Sequence, residues 1–160
     1  MEQMGGKNEQ APVIELVRAT AEDVEAYIKL EKNVAGSSTY SALVTPEEVS
    51  DEFSKSTVYL IKEGDHIVGS VSYEMKGPDR AYIDGLVVTP ARQHHGIGKA
   101  AMAKVLEELN NIKTIDLVTH PDNSSAISLY QSFGFVIGER KENYFGDGEP
   151  RIVMTLEKKS

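Results

Sequence analysis

Residues 86–99 read LVVTPARQHHGIGK, and this stretch decides the fold. A β-branched run ends near Pro90, and two glycines, Gly96 and Gly98, then open an amphipathic helix. Glycine lets the backbone approach a phosphate closely, and the first amides of a helix have no intrahelical acceptor. The helix dipole adds partial positive charge at the same end. The pattern therefore predicts a site for a ligand that carries a pyrophosphate.

Two common phosphate motifs fit this stretch poorly. The nucleoside-triphosphate loop requires Gly-Lys followed by Ser or Thr, but Ala100 follows Lys99, and Gln93 stands where the first glycine belongs. The dinucleotide fingerprint tolerates Ala101 at its third glycine. However, the preceding strands have the pattern of an antiparallel meander, and no acidic residue ends a following strand at the expected distance. Both alternatives are therefore disfavoured.

A second motif lies downstream. The pattern Gln-x-x-Gly-x-Gly, which starts at Gln93, resembles the acyl-CoA signature of the GNAT N-acyltransferase superfamily. Residues 123–135, NSSAISLYQSFGF, resemble that family's second signature, Asn-x-x-Ala-x-x-x-Tyr-x-x-x-Gly-Phe. The resemblance extends over nearly all of the chain after residue 12. It implies the α/β GNAT fold, with a mixed, mostly antiparallel sheet of six or seven strands and about four flanking helices.

Composition limits the classes of function. The chain has 160 residues, a net charge of −8 and no cysteine, which fits one domain and excludes disulfides and thiolate chemistry. We expect a flexible segment over residues 1–12 and the GNAT domain over residues 13–160. The acidic balance disfavours nucleic-acid binding. The absence of a long apolar run or signal peptide predicts a cytoplasmic protein without a membrane partner, either a monomer or a homodimer.

The order of elements follows from periodicity and turn signals. Helices are predicted to begin at Thr20, with an apolar face that includes Val34 and an end near Gly36–Ser38, and at Thr45. The strand–helix–strand unit places the strand at 114–119 parallel to the strand at 80–88. The predicted strands are 13–18, 57–62, 66–75, 80–88, 114–119, 135–140 and 151–157, and the later helices are 96–109 and the one that Asn123 caps.

The resemblance implies acetyl-CoA as the co-substrate. Residues 93–99, which we call the cradle, would hold its pyrophosphate through backbone amides. The backbone of residues 86–88, at the end of the preceding strand, would contact its pantetheine arm. Asn123 would cap its helix and also contact this arm. The implied cofactor-binding residues are Leu86, Val87, Val88, Gln93, His94, His95, Gly96, Ile97, Gly98, Lys99, Asn123 and Tyr130. Adjacent histidines diverge, so we expect no metal site.

Candidate catalytic residues follow from the chemistry of amine acetylation. The leaving thiolate needs a proton, and the resemblance assigns this general-acid role to Tyr130, although core packing is the alternative. The ammonium acceptor must lose a proton, and Asp84 or His120 could accept it. Surface or hydrogen-bonding roles remain open for both. Related enzymes often place Glu or His five residues before the motif asparagine, but this position is Val118 here.

Residues 141–154 bear on the amine that accepts the acetyl group. Residues 141–154 resemble the hairpin of protein N-terminal acetyltransferases, including the ribosomal-protein-alanine type, in which tyrosines hold the acceptor peptide. Tyr144 would be the matching residue. We expect direct transfer of an acetyl group from acetyl-CoA to a primary amine, with a protein N-terminus as one acceptor. The alternatives are a small amine, such as a polyamine, aminoglycoside or amino acid, and a non-catalytic acyl-CoA-binding regulatory domain.

Overall fold

A seven-stranded sheet with the order β1-β2-β3-β4-β5-β7-β6 organises the computed structural model, which describes residues 12–32 and 45–158. Helices pack on both of its faces. The strands are β1 (Glu15–Arg18), β2 (Thr57–Glu63), β3 (His66–Gly77), β4 (Arg80–Val88), β5 (Thr114–Thr119), β6 (Val136–Lys141) and β7 (Arg151–Glu157). The helices are α1 (Val24–Lys32), α2 (Pro46–Lys55), α3 (Ile97–Glu108) and α4 (Ser124–Ser132). The predicted mixed, mostly antiparallel sheet is confirmed.

The pairing of β4 with β5 is parallel, and every other pairing in the sheet is antiparallel. Helix α3 connects these two strands, as the strand–helix–strand pattern predicts. Strand β7 lies between β5 and β6, so the last hairpin adds to the sheet through its second strand. The sequence predicts that hairpin but not which of its strands faces β5.

Two hydrophobic clusters cover the two faces of the sheet. The larger one contains α3 and α4, together with Ile83 of β4 and Leu117 of β5. The smaller one joins Tyr27 of α1 and Val49 of α2 to the sheet. Strand β2 contributes Leu60 to the smaller cluster and its neighbour in sequence to the larger one, since successive side chains of a strand point to opposite faces. The sheet is therefore covered on both sides.

A β-bulge interrupts β4 at Asp84. Ser72 pairs with Gly85 and Tyr73 pairs with Ile83, so Asp84 is the additional residue on the β4 side. The bulge shifts the alternation of side chains between the two faces of the sheet. As a result, Ile83 and Leu86 both pack with the cluster of α3 and α4, although they are three residues apart. Asp84 is consequently directed to the opposite face, where α2 lies.

The helix starts are as predicted. Thr20 and Thr45 form capping boxes, and Asn123 Oδ1 accepts a hydrogen bond from the amide of Ala126 at 3.2 Å. Strand ends differ from the prediction by up to two residues. The predictions for residues 1–11, Val34 and Gly36–Ser38 fall outside the described residues. Within residues 12–32 and 45–158, no helix is long and apolar enough to cross a membrane.

Candidate active site at the fork between two strands

A cavity of about 860 Å³ opens where β4 and β5 separate. The parallel ladder ends at the pair Ile83 and Leu117. Beyond it, residues 85–88 pair with β3 on one side, and residues 84–88 line the cavity on the other. Backbone groups of an open strand edge can pair with an extended ligand. The two strands therefore separate into a fork, and the β4 edge of this fork is open.

The cradle forms one end of the cavity. His94 and Gly96 both have positive φ, at 68° and 85°, and successive amides in such a turn converge to form a concave anion site. The Gln93 side chain closes this turn by donating from Nε2 to the Val88 carbonyl at 2.9 Å. The first amides of α3 point into the same space. This geometry suits a pyrophosphate.

Not every side chain of the cradle reaches the cavity. Gln93, His94, Gly96, Gly98 and Lys99 line it. Ile97 is buried in the core, and the His95 ring contacts the Gln93 carbonyl oxygen through Nδ1 at 2.8 Å. For these two residues, only the backbone amide remains available for the role that the resemblance implies.

The positive charge at the cradle comes from few groups. Arg92 lines the cavity, but its guanidinium donates from Nε and Nη2 to the two carboxylate oxygens of Glu63 at 2.9 and 2.8 Å. A bidentate pair of this kind satisfies much of the charge of the arginine. Lys99 is exposed and forms no ion pair within the described part of the chain. Helix amides and Lys99 thus supply the favourable field for an anion.

Gly98 keeps the floor of the cavity open. A Cβ atom added there would lie 3.6 Å from Leu86, 3.8 Å from Leu129 and 3.9 Å from Val88. These are ordinary van der Waals contacts, so alanine would fit, but a longer side chain would extend into the cavity. The cradle, the open edge of β4 and this open floor together suit an extended ligand with an anionic end.

Tyr130 lines the cavity from α4 and is 8% exposed. Its ring lies 5.9 Å from that of Phe135, so it also packs in the core. Burial raises the pKa of Tyr130 to about 12, which keeps the phenol protonated at neutral pH. Asn123 reaches the same cavity while capping α4. The packing and functional interpretations of Tyr130 are therefore compatible.

Asp84 lies at the other side of the cavity with a carboxyl partner that the sequence analysis missed. Glu52 of α2 also lines the cavity, and protonated Glu52 can donate a hydrogen bond to Asp84. Ser56 Oγ donates to Asp84 Oδ2 at 2.5 Å, and Ser72 Oγ donates to Glu52 Oε2 at 3.2 Å. A signal was available, because Glu52 follows Val49 by three residues and shares its inward helix face.

The two carboxyl groups titrate at unusual pH. Burial, followed by the charge of Asp84, raises the pKa of Glu52 to about 7. Burial also raises the pKa of Asp84, while the Ser56 hydroxyl opposes that rise. Two carboxylates that share a site cannot both ionise easily, so the pair retains a proton to a higher pH than isolated carboxyl groups would.

His120 lines the cavity but has both ring nitrogens occupied. Its Nδ1 accepts from the Asp122 amide at 3.0 Å, so the neutral ring carries its proton on Nε2, which lies 2.7 Å from Oε1 of Glu149. The side chain is 3% exposed. The histidine therefore connects the end of β5 to the loop between β6 and β7.

That loop, residues 142–150, contributes aromatic side chains near the cavity. Phe145, rather than Tyr144, lines the cavity, and the two rings lie 4.8 Å apart in an edge-to-face arrangement. The guanidinium of Arg151, which is 2% exposed, lies 5.0 Å from the centre of the Phe145 ring and donates to Asp147 Oδ2 at 3.1 Å. Both aromatic side chains remain substantially exposed, so they are available to a ligand at the mouth of the cavity.

The fold and the cavity define an α/β domain with a cleft between two parallel strands and a glycine-containing turn at one end of it. The sequence profile of the Acetyltransferase (GNAT) family matches residues 22–135. The chain therefore belongs to the GNAT acetyltransferase family. This confirms the family that the two sequence motifs indicate.

Two curated proteins match parts of the chain, and one of them is a named acetyltransferase. The ribosomal protein bS18-alanine N-acetyltransferase of Escherichia coli K12 is 34% identical over 83 residues, which cover 49% of this chain and 56% of that protein. The protein YqkA of Bacillus subtilis is 33% identical over 116 residues, which cover 72% of this chain and 33% of that protein. The chain thus spans about half the length of the acetyltransferase it matches.

Solved structures share the fold. Ard1 from Thermoplasma volcanium superposes with a TM-score of 0.81 at 19% identity, covering 92% of this chain and 99% of that one. The S18-alanine N-acetyltransferase from Escherichia coli gives 0.77 at 19% identity, covering 91% and 94%. A GNAT acetyltransferase from Elizabethkingia anophelis, solved with acetyl-CoA bound, gives 0.72 at 19% identity, covering 91% and 98%. The predicted GNAT fold is confirmed.

Proposed function

We propose that this protein transfers an acetyl group from acetyl-CoA directly to a primary amine, and that the acceptor is the α-amine of a protein N-terminus. One observation carries the proposal. A single cavity joins the cradle, the open edge of β4, the buried phenol of Tyr130 and the carboxyl group of Asp84. The cradle suits the pyrophosphate, and the other three groups serve the pantetheine arm and the reacting atoms.

The residues act in a fixed order. Acetyl-CoA supplies a thioester carbonyl for attack. Asp84 accepts a proton from the acceptor ammonium, and the free amine then forms the nitrogen–carbon bond as the carbon–sulfur bond breaks. The new amide nitrogen loses its second proton to solvent. Tyr130 donates its proton to the departing thiolate and is reprotonated from solvent. Asp84 suits the base role better than His120, because both ring nitrogens of His120 already have partners.

The choice of a peptide acceptor has two supports. The bS18-alanine N-acetyltransferase is similar in sequence to about half of this chain, 49% of its length. Phe145 lines the cavity, Tyr144 packs against Phe145, and both expose aromatic surface against which an extended peptide could pack. Small amines remain the alternative acceptor class. A purely regulatory acyl-CoA-binding domain would have no use for the Tyr130 phenol in the cavity.

The test is release of free CoA from acetyl-CoA in the presence of a panel of amines. The panel contains peptides that begin with Ala, Ser or Met, the same peptides with a blocked N-terminus, polyamines, aminoglycosides and amino acids. We expect transfer to free peptide α-amines, with mass spectrometry locating the acetyl group. Transfer only to a small amine would overturn the peptide assignment. Tight binding of acetyl-CoA without transfer to any amine would overturn the enzymatic proposal.

A further inference from the structure

We propose that Glu52 and Asp84 act as one proton-accepting pair for the acceptor ammonium group. The inference rests on the proposed N-acetyltransferase function and assigns Glu52 a role within it. The two carboxyl groups come from different elements, α2 and the β4 bulge, and meet in the same cavity. Their hydrogen-bond donors, Ser56 and Ser72, leave the cavity side of the pair available to an ammonium group.

Within the described residues 12–32 and 45–158, few cations compensate the pair. Lys55 and Lys76 are the nearby lysines, but Lys55 lies 3.0 Å from Asp51, and Lys76 lies 3.3 Å from Glu74. The other ionisable groups that face the pair are Tyr27 of α1, Tyr82 of β4 and Glu74 of β3. Burial raises the pKa of each of the two tyrosines, so both stay neutral. A cationic acceptor is therefore the natural counter-ion for the doubly ionised pair.

The pair exchanges one proton in each turnover. The doubly ionised pair takes one proton from the acceptor ammonium and shares it between Glu52 and Asp84, and solvent removes that proton after turnover. Burial raises the pKa of Glu52 to about 7, so the transfer from an α-ammonium group is uphill by only about one pKa unit. The pair is therefore a suitable base for such a group.

Packing alone does not account for two adjacent carboxyl groups. Glutamine at position 52 could accept the same hydrogen bond from Ser72 without repelling Asp84, so a carboxyl group here opposes folding at neutral pH. The strand position where related enzymes often carry Glu or His holds Val118, which lines this cavity as an apolar side chain. Glu52 and Asp84 supply the missing proton acceptor from the opposite side of the fork.

The test compares Glu52→Gln with Glu47→Gln, a matched control on an exposed position of the same helix. We expect the kcat/KM of the wild-type protein for a peptide α-amine to fall below about pH 7. In Glu52→Gln the acidic limb should move down by at least about one pH unit, because the like charge beside Asp84 is gone, and the plateau should fall about tenfold. The control should match the wild type. An unchanged acidic limb in Glu52→Gln would overturn the proposal.

A measurement without turnover separates the two proposals. The pKa of Glu52 is higher in the folded protein than its ordinary value of 4.5, so the folded state binds more protons between these values. This contribution to stability is complete below pH 4.5 and is lost as the pH rises through about 7. The midpoint of thermal unfolding should therefore decline over this range more steeply in the wild type than in Glu52→Gln. Equal slopes would refute the pair even if no acceptor amine were found.

Discussion

The hydroxyl of Ser56 donates a 2.5 Å hydrogen bond to Oδ2 of Asp84. Ser56 directly follows α2, and Asp84 is the additional residue in the β4 bulge. One contact thus fixes the end of a helix to the part of the sheet where the strands separate. It also stabilises the ionised form of Asp84 within a buried environment.

Removing this donor should affect both stability and pH dependence. In Ser56→Ala the pKa of Asp84 should rise further, so we expect the acidic limb of kcat/KM to move to higher pH. Loss of a hydrogen bond to a charged group should lower the free energy of unfolding by about 2 kcal/mol. Denaturant unfolding and a pH series measure the two effects. Ser54→Ala is the matched control, because its exposed hydroxyl bonds only a helix carbonyl, and a similar pH shift there would contradict the assignment.

The phenol of Tyr130 should matter for turnover and not for binding. Tyr130→Phe retains the ring packing against Phe135 but removes the proton donor. We expect kcat to fall by about a hundredfold or more, with the Kd of acetyl-CoA changed by less than about twofold. Steady-state kinetics and calorimetry measure these quantities. Equal turnover in the variant would leave Tyr130 as a packing residue only.

The two cradle glycines should differ in their tolerance of alanine. Gly96 has a φ of 85°, so Gly96→Ala strains the backbone and should cost about 1–2 kcal/mol of stability. It should also weaken acetyl-CoA binding by about tenfold, because the amides lose their alignment. Gly98→Ala provides the comparison, since its added Cβ meets only ordinary contacts. Thermal unfolding and calorimetry are the measurements, and binding of acetyl-CoA by Gly96→Ala as tight as by the wild type would argue against the cradle as the pyrophosphate site.

The contact between His120 and Glu149 should position the acceptor rather than move its proton. Glu149→Ala removes the carboxylate at 2.7 Å from Nε2 and frees the loop that carries Phe145. We therefore expect the KM for a peptide acceptor to rise about fivefold while kcat stays within about twofold. Kinetics with a peptide series test this split. A fall in kcat of about a hundredfold would instead assign His120 to catalysis.

Much of the fold could be predicted because its signals are local. Capping residues such as Thr45 and Asn123 start their helices where the sequence indicates, since each side chain satisfies amides a few residues away. Strand β4 and strand β5 have the predicted bounds. Their parallel pairing follows from the helix between them, because a crossover of this length leaves little other choice.

Part of the candidate site could be predicted from local sequence, and the rest depends on tertiary structure. The sequence alone determined the family, the cradle and the position of Tyr130, because these depend on motifs of contiguous residues. Tertiary structure decided which groups meet in the cavity. The bulge turns Asp84 toward α2, and Glu52 joins it from 32 positions earlier in the chain. No local pattern encodes that meeting, since it depends on how a helix packs on the sheet and on one additional residue in a strand.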